Sequence, residues 1–251
     1  MDRAERTISS ACGIMKMDGM IVPGTVRDSI RRCLNGDGIF DFAVVYVAGA
    51  RAGYRSMHRL ERSADDPYCY DGTVTPVNKL NIRDREVLMT KIRDVVPIRI
   101  AELERHPITS PMSAEYLRKI HLRLYGDIFD WAGKYRTEDY DTDPTACRSV
   151  LIDNCVNGLF DELEKEDFLS GSDDLPERLA HYISELFAIH PFRVGDGPAI
   201  RVLSNSIAMM NGKYLDHSKA SESLMDIAVR RGVAGDLSQL EEIIGDIITD
   251  Y

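Results

Sequence analysis

The chain has no apolar stretch close to the ~20 residues that a membrane-spanning helix needs. Its first ten residues, MDRAERTISS, lack the apolar centre of a secretory signal. A cytoplasmic location is expected on those grounds, with export as an effector by another route left open. Positive charge is also short: 31 Lys and Arg against 41 Asp and Glu leave a net charge of −10. That balance disfavours a broad nucleic-acid-binding surface, which works by neutralising phosphates, but allows a local basic pocket for a nucleotide. Neither membrane nor nucleic acid is expected as a partner. Cysteine is sparse and scattered. Cys12, Cys33, Cys69, Cys147 and Cys155 are odd in number and form no Cys-Xaa-Xaa-Cys pair, which suggests neither a disulfide framework nor a zinc site. No internal repeat or low-complexity tract stands out.

What is present is ordinary for a folded chain: 251 residues, 44% hydrophobic and 29% charged, enough for one large domain or a domain with an appendage. Residues 1 to about 62 read as short helical pieces broken at Gly19, Pro23–Gly24 and the Asn35–Gly38 stretch NGDG. Val26, Ile30 and Cys33 recur at helical spacing, and Gly36 is a helix stop. IFDFAVVYV, apolar and rich in β-branched residues, is open between helix and strand. A loop, SADDPYCYDGT, marks the expected boundary. Beyond it the period is helical: Leu117, Ile120, Leu124 and Ile128 share one face of a segment ending at Gly133, and Leu179, Tyr182, Ile183, Leu186 and Phe187 share another. YRTEDYDTDPTACRS breaks the period and reads as a loop or short hairpin. AIRVLSNSIAMM, SESLMDIAVRRG and LSQLEEIIGDIITD read as three further helices.

One stretch concentrates the chemistry: HPFRVGDGPAIR, residues 190–201. A helix ends at His190, a glycine-rich turn follows, and Pro198 suits the first position of the next helix. The N–H groups of Gly195, Asp196 and Gly197 can then converge at a helix N-terminus, where unpaired donors and the helix dipole attract phosphate. Arg201 lies one turn along and can reach a distal phosphate. His190 stands on the opposite rim, placed to take a proton from a hydroxyl. The alternative at this point is a packing turn between two core helices. His58, His106, His121, His181 and His217 have no comparable surroundings and read as surface or core residues.

The same twelve residues resemble, without gaps, the signature of Fic proteins, His-Xaa-Phe-Xaa-(Asp/Glu)-Gly-Asn-Gly-Arg-Xaa-Xaa-Arg. LAHYISELFAIHPF, IHLRLYGDIFDWAGKYRT and KYLDHS are similar to the stretches around that signature in the family. The resemblance spans roughly residues 75 to 245. It implies an all-α helical bundle with a small β-hairpin flap, here near Arg136 to Cys147, and a Fic domain over residues 63–251. It also implies transfer of AMP from ATP to a Ser, Thr or Tyr hydroxyl of a target protein. His190 would be the base, Phe192 the anchor of the loop, and Gly195, Asp196, Gly197 and Arg201 the phosphate-binding set. Residues 1–62 resemble the small helical antitoxins that bind Fic toxins, whose inhibitory helix carries (Ser/Thr)-Xaa-Xaa-Xaa-Glu-(Gly/Asn). In IMKMDG, Ile14 stands at the hydroxyl position, Asp18 at the glutamate and Gly19 at the glycine. By that resemblance Asp18 pairs with Arg201, as an antitoxin within the chain.

Three positions depart from the signature. Val194 stands where an acidic residue holds Mg²⁺, and a valine offers no oxygen to a hard cation. Asp196 replaces asparagine, and an ionised carboxylate facing phosphate would repel it. Pro198 replaces arginine, removing a cation and a backbone donor. With charge-assisted contacts worth roughly 1.5–3 kcal/mol each, binding of Mg·ATP is expected to be weakened. Three readings follow: a weak or auto-inhibited AMP-transferase, a catalytically inactive Fic-fold binding module, and a Fic transferase using another phosphate-containing donor such as UTP or CDP-choline.

Overall fold

The computed structural model describes residues 2–49, 67–139 and 146–251. Among them α-helix is the dominant element, as expected, with ten α-helices and one two-stranded sheet. The first three helices are α1 (Arg3–Lys16), α2 (Gly24–Leu34) and α3 (Phe40–Ala48). Asp2 caps α1 by accepting from Glu5 N at 2.8 Å. Ile8, Ala11, Ile14 and Met15 form its buried stripe. On α2 the buried positions include Val26, Ile30 and Cys33, as their spacing required, and the chain turns at Gly36 with φ +86°. The ambiguous IFDFAVVYV is a helix: Phe40, Val44 and Ala48 are buried at a spacing of four, and Gly49 ends it in the left-handed region. The expected boundary between residues 62 and 63 lies outside the described residues, as does His58.

Helix α4 (Arg85–Arg105) is the long central element. Asp84 caps it through Val87 N at 3.0 Å, and its middle, Val95 to Ala101, is buried on every side. Such a helix can carry Arg99 only if the guanidinium is fully paired. It is: Asp41 and Glu102 each lie 2.7 Å from Nη1, and Asp127 takes Nε at 2.7 Å. Glu104, near the end of α4, accepts from Ser10 Oγ at 2.5 Å and Tyr214 Oη at 3.2 Å. These bonds tie α1 to the core.

Helix α5 (Ala114–Tyr125) stops at Gly126, earlier than the expected Gly133. Ile128, Phe129 and Trp131 continue the buried face from turns instead, which is why the apolar period outran the helix. α6 (Ile152–Lys165) and α7 (Leu175–Ile189) follow, the latter burying Leu179, Tyr182, Ile183 and Leu186. Phe187, expected in that stripe, is half-buried with the Arg201 guanidinium 5.8 Å from its ring centre. α8 (Asp196–Met210) starts at Asp196, so Pro198 is its third residue rather than its first. That place is tolerated because the first N–H groups of a helix have no intrahelical acceptor to lose. Helices α9 (Glu222–Val233) and α10 (Ser238–Ile247) complete the bundle.

The sheet joins β1 (Lys213–Leu215) to β2 (Ile248–Asp250), antiparallel, with Tyr214 opposite Thr249. The helix expected through LSQLEEIIGDIITD therefore ends three residues early, where β-branched residues meet a strand distant in sequence. Of the flap expected near Arg136 to Cys147, residues 140–145 lie outside the described residues, and the described flanks contain no strand. A 3-10 turn, His217–Lys219, follows β1 and packs against α1. Contact there is backbone to side-chain-free backbone: a Cβ on Gly13 would stand 2.7 Å from the His217 carbonyl carbon.

Candidate active site

The loop of residues 190–195 joins the end of α7 to the start of α8. His190 closes α7 in the left-handed region, φ 50° and ψ 62°, a strained place for a residue with a Cβ. Its backbone is over-determined by its neighbours. His190 N donates to Leu186 O at 3.0 Å, and Arg136 Nε donates to His190 O at 2.8 Å. Gly195 bends the chain into α8 at φ +94°. A Cβ there would lie 2.7 Å from Tyr125 Oη and against the ring, so the position needs glycine for space as well as for angle. The Tyr125 phenol is held well above its ordinary pKa, first by burial and then by the charges of Asp18 and Asp196, and stays protonated.

Phe192, for which the resemblance implied the role of loop anchor, is fully buried, and its ring stacks on His121 with centroids 3.8 Å apart. His121 does more than fill the core. Gly133 N donates to its Nδ1 at 2.8 Å, which leaves Nε2 to donate to Val194 O at 2.8 Å. Burial lowers its pKa to about 4, so the ring is neutral in that tautomer near neutral pH. Arg136 is the second such residue. Its side chain is wholly buried and donates to the carbonyls of Ile189, His190, Glu138 and Cys147, while its own N–H donates to Pro191 O at 2.9 Å. Neither residue stands out in the sequence as part of the site, although both fall in the IHLRLYGDIFDWAGKYRT stretch. A fully buried cation or imidazole is recognisable only once its partners are in place.

The Asp196 carboxylate, expected to face phosphate, is 2% exposed and turned onto the loop's own groups. One oxygen lies 2.5 Å from His190 Nδ1, and the other accepts from Phe192 N at 2.9 Å. The His190 side chain is 38% exposed above it. Val194 is half-buried, and its carbonyl is already taken by His121. With Asp196 also engaged, the loop's donor set does not fit Mg²⁺, which wants carboxylate oxygens in open positions.

Asp18 and Arg201 come together. Asp18 follows the last turn of α1, where Gly19 turns the chain at φ +72°, and its Oδ1 lies 2.6 Å from Arg201 Nη1. Arg201 is nearly buried at 8% exposure, Asp18 less so at 26%. A cation at the end of α1 also suits the negative end of that helix. The pair sits over Gly197: a Cβ there would be 2.6 Å from Asp18 Oδ1 and 2.7 Å from Arg201 Nη1. Ile14, one turn earlier, is fully buried and offers no hydroxyl to Asp18. His217, also buried, has its pKa lowered to about 3 by burial and by Arg201. Gly195, Asp196, Gly197 and Arg201 thus converge at the α8 N-terminus beside His190, with α1 laid across the arginine.

The Fic/DOC family model matches residues 111–208, which include the loop and most of α8. The probable protein adenylyltransferase Fic of Escherichia coli (strain K12) is 36% identical over 188 residues, 74% of this chain and 93% of that protein. The protein adenylyltransferase VbhT of Bartonella schoenbuchensis is 29% identical over 198 residues, covering 78% of this chain and 41% of VbhT. Among solved structures, the BepC effector protein of Bartonella tribocorum, with bound AMPPNP, superposes with a TM-score of 0.68. It is 23% identical and covers 77% of this chain and 100% of that one, a likeness of fold.

Proposed function

Because the chain belongs to the Fic/DOC family, we propose that it is a protein adenylyltransferase moving AMP from ATP to a Ser, Thr or Tyr hydroxyl of a target protein, held down by its own N-terminal helix. The observation that carries this reading is the half-exposed His190 imidazole standing over the N-terminus of α8. In the reaction the target hydroxyl oxygen bonds to the α-phosphorus and its proton passes to His190. The bond from that phosphorus to the pyrophosphate oxygen breaks, and the oxygen keeps the electron pair. The N–H groups of Asp196 and Gly197, in the first turn of α8, lack intrahelical acceptors and are suited to hold phosphate oxygens. Arg201 is the cation for the distal phosphate, and Asp18 competes with that phosphate for it.

Val194 and Pro198 favour a second reading, in which the donor is a phosphate compound other than Mg·ATP. A thermal-shift screen of nucleotides with and without Mg²⁺ separates the two, since only a bound ligand raises the melting temperature. The transferase reading is tested with α-labelled ATP and a lysate or the chain itself as acceptor. Label is expected in protein and is lost in His190→Ala. No label from the wild type or from Asp18→Ala, together with no nucleotide binding by calorimetry, overturns it in favour of an inactive binding module.

A further inference from the structure

The signature position held by asparagine in Fic proteins is Asp196 here, and its carboxylate is spent on the histidine. We infer that Asp196 is a positioning residue, paired with His190 as a dyad that fixes Nδ1 as the proton-bearing nitrogen and so makes Nε2 the base. The inference rests on the transferase reading for the identity of the proton that Nε2 accepts.

Geometry carries it. The Oδ2–Nδ1 separation is 2.5 Å, and the second oxygen is tied to Phe192 N at 2.9 Å, so the carboxylate cannot turn away without losing a buried bond. Phe192 is itself locked against His121, and the His190 carbonyl is held by Arg136. The dyad is therefore set from both sides of the ring. Asp196 is also the first residue of α8, where the helix dipole favours a negative charge. An ionised carboxylate accepts and cannot donate, so a neutral His190 bonded to it carries its proton on Nδ1. When the target hydroxyl gives its proton to Nε2, the imidazolium that forms lies directly against an anion. The dyad passes from one negative charge to none in that step. An asparagine could orient the ring but has no charge with which to stabilise the imidazolium.

Among the described residues, the other charges at the loop are Arg193, within the loop and 5.8 Å from the Tyr68 ring centre, Arg136, bonded to the His190 carbonyl, and the Arg201–Asp18 pair beside Gly197. All of them remain in an Asp196→Asn variant, so its effect isolates the carboxylate. The expected cost in rate is accompanied by a gain in binding, because a negative charge leaves the loop. A merely structural role moves neither in that pattern.

The experiment is ¹⁵N NMR of histidine-labelled protein, with His190 assigned from a His190→Gln spectrum. The neutral ring is expected as the Nδ1–H tautomer. In Asp196→Asn its titration midpoint is expected to fall by about one pH unit or more. An Nε2–H tautomer in the wild type overturns the inference without any variant, and so does an unchanged midpoint in a folded Asp196→Asn. In an Asp18→Ala background, Asp196→Asn is further expected to lower kcat about tenfold or more with KM for the nucleotide unchanged or lower. The NMR readout needs no transfer activity, so failure of the transferase reading and failure of the dyad are separate results.

Discussion

At the scale of the residue, the site turns on two carboxylates that the sequence presents as losses. Asp196 looks like a charge in the wrong place, yet it is matched to His190. Asp18 looks like a shortened glutamate, yet one methylene less still leaves it 2.6 Å from Arg201. If Asp18 holds the distal-phosphate cation, Asp18→Ala raises transfer of label from ATP. A charge-assisted bond to a nearly buried arginine justifies an increase of about tenfold, equivalent to ~1.4 kcal/mol. The measurement is initial rate at subsaturating ATP, and an unchanged rate removes Asp18 from any inhibitory role. The frame of the loop was legible in HPFRVGDGPAIR through its resemblance to the Fic signature, since residue types and spacing alone left a packing turn open. His121 and Arg136 were not, because nothing local distinguishes an imidazole or guanidinium that will be buried from one left in solvent.

At the scale of the element, α1 is held by a close approach as well as by its apolar stripe. Gly13 lets its backbone reach the His217–Lys219 turn, and Lys16 Nζ donates to Ala220 O at 2.9 Å just beyond it. Gly13→Ala is expected to cost about 1–3 kcal/mol, as overpacking against backbone does. On the proposed reading it also raises transfer activity, because a displaced α1 takes Asp18 with it. Differential scanning and the labelling assay are run on the same preparation; a lowered melting temperature with unchanged activity separates docking from inhibition. The helices were readable from apolar spacing, including α2 and α7. Errors fell at the ends. α5 gives way to turns before its apolar pattern stops, and β2 continues the apolar pattern of α10 in another geometry. Spacing reports which side chains are buried, and only partners distant in the chain decide the backbone that buries them. The choice of helix for Phe40–Ala48 was settled in the same way, by packing against α4.

At the scale of the whole molecule, three buried titratable groups shape the response to pH. Burial raises Glu104 to about 7, despite its bonds to Ser10 and Tyr214, and lowers His121 to about 4 and His217 to about 3. The unfolded chain binds protons to both histidines below about pH 6.5 while the fold refuses them, so stability is lost as pH falls through that range. Glu104 acts oppositely: the fold keeps its proton above the ordinary carboxyl range, so stability declines as pH rises from about 4.5 to about 7. With two histidines against one glutamate, the melting temperature is expected to rise from pH 4 to a maximum between about pH 6 and 7. Glu104→Gln is expected to make the chain more stable at pH 8 by up to about 2 kcal/mol. Chemical denaturation at pH 5, 6.5 and 8 checks both signs.

Asp18 and Arg201 lie 183 positions apart on one polypeptide. Their stoichiometry is therefore one to one at any level of synthesis, and the local concentration of the carboxylate does not fall on dilution. A separately encoded inhibitor can be outgrown, degraded or titrated away; on the proposed reading, this one shares the lifetime of the arginine it covers. Specific activity is accordingly expected to stay flat from nanomolar to micromolar protein. A rise on dilution would mean that the helix is supplied by a neighbouring copy. If the activity is flat, relief has to come from something that moves α1, such as a target or a proteolytic cut, rather than from a change in abundance.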